Sequence, residues 1–140
     1  MAEPQKTVLI VEDSPVQATS IGHLLLEHGA RVLYAPDGRA GLYIAQRYLP
    51  DAIILDLEMP RMNGLEACKR LKAAPETADI PVLILTRYAD RLGLTSDGDK
   101  AGTIDFIPKD GFTNTVLVET LRQLCILERP SRRDSTELGN

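Results

Sequence analysis

An α/β protein built on a doubly wound parallel sheet is the fold class this sequence predicts, and three observations predict it. Five short apolar runs recur along the chain: TVLIV (7–11), RVLYA (31–35), AIILD (52–56), VLILT (82–86) and IDFIP (104–108). Most are rich in Val, Ile and Leu without polar alternation, as expected of strands buried on both faces. Longer amphipathic stretches fill the gaps, giving β-α five times over, and short right-handed connections then place helices on both faces of an open sheet.

The elements follow in order. After the first run, Ser14 can cap a helix with Pro15 at its first position and Gln17 three residues on. Its apolar face is Ala18, Ile21, Leu24 and Leu25, and Gly29 stops it. RVLYA follows and also fits a half-exposed edge strand. Asp37 can cap a second helix with Leu42, Ala45 and Leu49 as apolar positions, ending before Pro50. Asn63 with Glu66 can cap a third, through Leu65, Cys68 and Leu71 to the break at Pro75. The gap after the fourth run, 89–102, carries Gly93, Gly98 and poor helix formers. Each interior Gly costs about 1 kcal/mol against Ala, so a short or frayed helix is expected there. Thr113 can cap a last helix through Val116, Leu117, Leu121, Leu124 and Ile126, before Pro130.

The bulk composition narrows the function. A length of 140 residues suggests one domain, here 1–128, and the polar stretch 129–140 is expected to be a disordered tail or linker. A net charge of −4 offers no basic footprint for direct nucleic-acid binding. No apolar run approaches the length of a membrane span, and MAEPQK lacks the apolar core of a signal peptide, so a cytoplasmic location is expected. Cys68 and Cys125 are not in a C-x-x-C pair and are expected to be free thiols. His23 and His28 lie five apart, on different helix faces, and do not form a metal pair.

The chemistry gathers where the strands end. In open α/β sheets, sites form beyond the carboxyl ends of the strands. Glu12 and Asp13 follow the first strand, Asp56 ends the third, Thr86 ends the fourth and Lys109 follows the fifth. Two like charges about 4 Å apart repel by roughly 4 kcal/mol at an effective dielectric of about 20, so Glu12 beside Asp13 asks for compensation. Converging acids either raise their own pKa values or take a cation, and hard oxygen donors suit Mg²⁺. Asp56 is then placed to attack phosphorus as a carboxylate nucleophile, with the metal and Lys109 neutralising charge on the phosphoryl oxygens.

VLIVED, IILDLEMPRMNGLE, VLILT and AGTIDFIPKD, in that order, make residues 6 to about 128 resemble a response-regulator receiver domain of two-component signalling. The spacing matches too: 43 residues from Asp13 to Asp56, 30 to Thr86 and 23 more to Lys109. The resemblance implies a flavodoxin-like (βα)5 fold with strand order 2-1-3-4-5. It also implies the roles. Asp56 would be the phosphoacceptor. Asp13, Glu12, Asp56 and the backbone carbonyl of Glu58 would serve Mg²⁺, Glu12 mainly through water. Lys109 would contact a phosphoryl oxygen, Thr86 would turn its hydroxyl to that oxygen, and Phe106 would be the aromatic that reports the switch or, alternatively, plain core packing. A histidine kinase or phosphotransfer protein would donate the phosphoryl group. The surface of the fourth helix, fifth strand and fifth helix would then change for a downstream protein, with a phosphorylation-promoted homodimer as a further implication. The chain would act as an enzyme only on itself. A hydrogen bond to a charged group contributes about 1.5–3 kcal/mol, and moving an equilibrium from 1:99 to 99:1 takes about 5.5 kcal/mol, so Thr86 and Lys109 together approach what a switch needs.

Two residues depart from the pattern. The family commonly has Pro after the lysine; here Pro108 precedes it, leaving the Lys109–Asp110 bond either cis or rearranged trans. Arg87 stands where a small residue is usual, and is expected to cover the site partly or to pair with Glu58, slowing phosphoryl loss. Arg87 and Asp110 keep open a degenerate receiver acting as a scaffold. A Mg²⁺-dependent phosphohydrolase using Asp56 is the other alternative, but such enzymes resembling the haloacid dehalogenase family have Asp where this chain has Glu58, and no substrate-capping insert is visible. Whether the chain stands alone or belongs to a longer protein is left open.

Overall fold

A computed structural model describes residues 5–59, 64–87 and 104–128. Its elements are β1 (Thr7–Val11), α1 (Pro15–Glu27), β2 (Arg31–Ala35), α2 (Gly38–Tyr48), β3 (Ala52–Asp56), α3 (Gly64–Ala73), β4 (Val82–Thr86), β5 (Ile104–Pro108) and α4 (Thr113–Gln123). All five strands coincide with the predicted runs. They form one parallel sheet in the order β2-β1-β3-β4-β5. The predicted tail, the Asn63 cap and the expected helix at 89–102 lie outside the described residues.

Strand side chains alternate between faces, and here both faces are covered. Val8 and Ile10 join a core cluster with Ala18, Ile21 and Leu25 of α1 and Leu117 and Leu121 of α4. Leu9 and Val11 join the opposite cluster with Ala45 of α2 and Ala67, Cys68 and Leu71 of α3. Covering on both sides is why β3 and β4 are buried at every residue. β2 is an edge strand, and exposed Arg31 and Tyr34 mark it as the half-exposed run. Among the described residues no helix is long and apolar enough to cross a membrane.

The helix starts follow side-chain capping. The Gln17 amide donates to Ser14 Oγ (3.3 Å), with Pro15 at the start of α1. The Ala40 amide donates to Asp37 Oδ1 (2.8 Å). Three expectations need correction. Leu49 is not on the buried face of α2; it is the exposed C-cap, in the left-handed region at φ 47°. Thr113 is not the cap of α4, because Phe112 holds that place and offers no side-chain acceptor. Instead the Thr113 hydroxyl lies 2.8 Å from the Pro108 carbonyl and accepts from the Asp110 amide (2.8 Å), tying the loop after β5 to the helix. α4 also stops at Gln123 rather than running to Ile126. Cys125 turns left-handed at φ 63°, the Ile126 amide bonds back to the Leu121 carbonyl (2.8 Å), and Leu127 returns to the core.

Candidate functional site

The rim of the sheet is held by the same ladder that holds the strands. The Glu12 amide donates to the Ala35 carbonyl (3.0 Å), the Leu57 amide to the Leu85 carbonyl (2.9 Å) and the Lys109 amide to the Thr86 carbonyl (3.0 Å). The residues just after β1, β3 and β5 are therefore pinned to the neighbouring strand. Parallel pairing aligns the ends: Val11 lies opposite Leu55, Asp56 opposite Leu85 and Thr86 opposite Pro108.

Glu12, Asp13 and Asp56 each bring a carboxylate oxygen within 4.8 Å of the other two. Glu12 and Asp56 are buried, and Asp13 is exposed to solvent. Lys109 Nζ lies 2.5 Å from Asp56 Oδ1 and 3.3 Å from Glu58 Oε1. The Glu58 amide donates to Asp56 Oδ1 (3.1 Å), an Asx turn that bends the chain back over the site. Thr86 Oγ1 donates to Glu58 Oε2 (2.7 Å). All six residues expected at the pocket from the sequence thus stand at one rim. Phe106 lies apart, half-buried against the second core cluster and opposite Ile84.

The electrostatics are uneven. Burial pushes the Glu12 carboxyl up to about 8, and the adjoining Asp56 carboxylate adds to this, against an opposing pull from Lys109. Among the described residues, both Glu12 side-chain oxygens are buried with no hydrogen-bond partner. Burial works against the Lys109 ammonium, but its hydrogen bond to Asp56 and the charges of Asp56 and Glu58 outweigh it, so its pKa sits above the ordinary value. A buried carboxylate with both oxygens unsatisfied is costly. Two further carboxylates beside it make an all-oxygen donor set that suits a hard divalent cation.

Arg87 pairs with Glu58, Nε to Oε1 at 3.9 Å, with its amide 3.4 Å from the same oxygen. Its side chain is 63% exposed, so this pair is screened by solvent. The Lys109–Asp110 bond is trans, as is every peptide bond among the described residues. Asp110 forms a second Asx turn there, accepting from the Phe112 amide (2.7 Å).

Two contributors were missed from the sequence. One is the reach of the Glu58 side chain to Thr86 and Lys109; from the sequence, Glu58 was expected to act through its backbone carbonyl and to pair with Arg87. The other is Gly64. A Cβ there would stand 2.7 Å from Leu57 Cα and 2.9 Å from the Asp56 carbonyl oxygen, both backbone atoms that cannot rotate away. Glycine thus lets α3 start directly against the Asp56 turn. Gly64→Ala is expected to lower stability by about 1–3 kcal/mol, the usual cost of overpacking. A thermal melt matching wild type would show instead that α3 can retreat.

A parallel sheet in this order, with carboxylates gathered beyond its first and third strands, defines a flavodoxin-like α/β domain with its site at the carboxyl ends of the strands. Residues 8–122 match the model of the response regulator receiver domain. The chain belongs to that family, a component of two-component systems. It is 34% identical over 113 residues to protein PilH of Pseudomonas aeruginosa, covering 79% of this chain and 90% of PilH. It is 36% identical over 102 residues to response regulator MprA of Mycolicibacterium vanbaalenii, where the match covers 73% of this chain but only 43% of MprA. The chain thus spans most of the first relative and about half the length of several others. Among solved structures, chemotaxis protein CheY4 of Vibrio cholerae superposes with a TM-score of 0.73 at 30% identity, covering 86% of this chain and 99% of CheY4. The receiver domain of sensor histidine kinase PA1611 from Pseudomonas aeruginosa, with a magnesium ion coordinated in its active-site cleft, gives 0.73 at 28% identity, covering 86% and 98%.

Proposed function

We propose that this chain is a phosphoacceptor that takes a phosphoryl group onto Asp56 in a Mg²⁺-dependent reaction and carries it as a signal. The observation that carries the proposal is the meeting of Glu12, Asp13 and Asp56 within 4.8 Å, with the Lys109 ammonium on Asp56. Glu12, Asp13, Asp56 and the Glu58 carbonyl would hold the ion, whose charge would offset that of the phosphoryl oxygens. An Asp56 oxygen forms the new bond to phosphorus while the bond from phosphorus to the donor histidine nitrogen breaks, and that nitrogen keeps the electron pair. Lys109 steadies the negative charge through its own donors, and the Thr86 hydroxyl turns to a phosphoryl oxygen. The chain acts as an enzyme on itself alone.

The donor is a histidine kinase or phosphotransfer protein, and the setting proposed is the cytoplasm. The output is altered binding of a downstream protein at the surface of β5, α4 and the fourth helix expected from the sequence, with Phe106 reporting the change and a phosphorylation-promoted homodimer as one outcome. No direct contact with nucleic acid or membrane is invoked. The test is incubation with Mg²⁺ and acetyl phosphate, followed by mass and backbone NMR. One acid-labile phosphate per chain is expected. Steady turnover of a phosphomonoester would instead indicate a hydrolase, and an unmodified chain a scaffold.

Arg87 next to Thr86 adds positive charge beside the pocket. Arg87→Ala is expected to shorten the acyl-phosphate lifetime by about two- to fivefold, the range an exposed pair allows. An equal or longer lifetime in the mutant would rule out a protective role.

A further inference from the structure

The Glu58 carboxylate already does at rest what a phosphoryl group on Asp56 would do. One oxygen accepts the Thr86 hydroxyl at 2.7 Å; the other stands 3.3 Å from Lys109 Nζ and 3.4 Å from the Arg87 amide. The side chain is aimed this way because the Asx turn at Asp56 folds residue 58 back across the ends of β3 and β4. Thr86 is fully buried, so its hydroxyl is engaged in a site shielded from water.

The two partners differ in capacity. A lysine ammonium has three donors and can serve Asp56, Glu58 and a phosphoryl oxygen in turn. A threonine hydroxyl has a single proton to donate. It cannot give that proton to Glu58 and to a phosphoryl oxygen together. We propose that Glu58 is a built-in competing anion, a positioning residue that holds the Thr86 hydroxyl until a phosphoryl group on Asp56 displaces it. This sets the threshold at which the domain switches, and it rests on the reading of Asp56 as phosphoacceptor. A bond to a carboxylate is stronger than one between neutral groups, so the latch is a real competitor for the hydroxyl.

The test uses beryllofluoride as the phosphoryl mimic at saturating Mg²⁺, titrated by calorimetry into wild type, Glu58→Gln, Glu58→Ala, Thr86→Ala and the Thr86→Ala/Glu58→Ala double variant. Glu58→Ala is expected to bind about tenfold more tightly than wild type, with Glu58→Gln between them. In the Thr86→Ala background the same change is expected to shift affinity less than about threefold, since the latch has nothing to hold. An equal gain in both backgrounds would reduce Glu58 to a bulk charge and overturn the proposal, as would no gain in either. A second measurement needs no phosphoryl mimic: the Thr86 χ1 couplings in the metal-free, unmodified protein. A χ1 population in wild type that shifts in Glu58→Ala supports the latch; the same population in both proteins overturns it. Failure of wild type to bind beryllofluoride, with Thr86 fixed by Glu58, would overturn the Asp56 reading and not the latch.

Discussion

Asp56→Asn is expected to remove phosphoryl incorporation, from one acid-labile phosphate per chain to a level at least about 100-fold lower, with the fold intact. An amide oxygen is a far weaker nucleophile than a carboxylate, while its shape is nearly the same. The asparagine can still accept from the Glu58 amide and from Lys109, the two bonds that Asp56 Oδ1 accepts. The side chain sits at a strand end, so the two core clusters are untouched. The substitution also removes one of the influences that raise the Glu12 carboxyl, which should move toward its ordinary value. Intact-mass measurement after treatment with acetyl phosphate and Mg²⁺ reads the first effect, and circular dichroism checks the fold. Phosphate retained in the mutant at the wild-type level would place the acceptor elsewhere.

The second large effect lies in pH. Glu12 is buried and its carboxyl is held near 8, well above the value of 4.5 that it has when free. Between those two pH values the unfolded chain has lost this proton and the folded chain keeps it. The folded state then binds more protons, so by linkage stability falls as pH rises through the window and levels off above it. The slope is at most about 1.4 kcal/mol per pH unit, several kcal/mol across the window. Urea unfolding with a chelator present, from pH 5 to 8.5, measures it. Glutamine imitates the protonated acid, so Glu12→Gln should match wild type near pH 5 and exceed it at pH 8. Parallel curves for the two proteins would show that Glu12 ionises as freely as an exposed acid. Any divalent ion that uses Glu12 must also displace this proton, which makes its binding stronger as pH rises.

Most strands were legible because burial on both faces leaves an unbroken apolar run, and four of the five runs stopped at or beside a residue with chemistry to offer, the edge run RVLYA being the exception. That second fact made Glu12, Asp13, Asp56, Thr86 and Lys109 readable as a group. What stayed hidden depends on how separate elements meet. Nothing in the order of residues says that the Glu58 side chain reaches Thr86 on another strand, since that follows from a turn and a rotamer together. The demand for glycine at Gly64 arises only once α3 docks on the turn after β3. The end of α4 carries no glycine to announce it, because Cys125 itself takes the left-handed turn. Leu49 misled for a similar reason: its helical spacing is right, but the chain leaves the helix at that residue.

The pinning of the residues after β1, β3 and β5 to neighbouring strands has an evolutionary corollary. The reactive groups hang from backbone bonds inside the sheet, whereas the outward faces of the helices contribute nothing to their alignment. Val16, Tyr43 and Phe112, all strongly exposed, can be exchanged for other side chains without moving a carboxylate. Descendants of such a gene can acquire new correspondents by redrafting that exterior, and inherit the reaction unaltered.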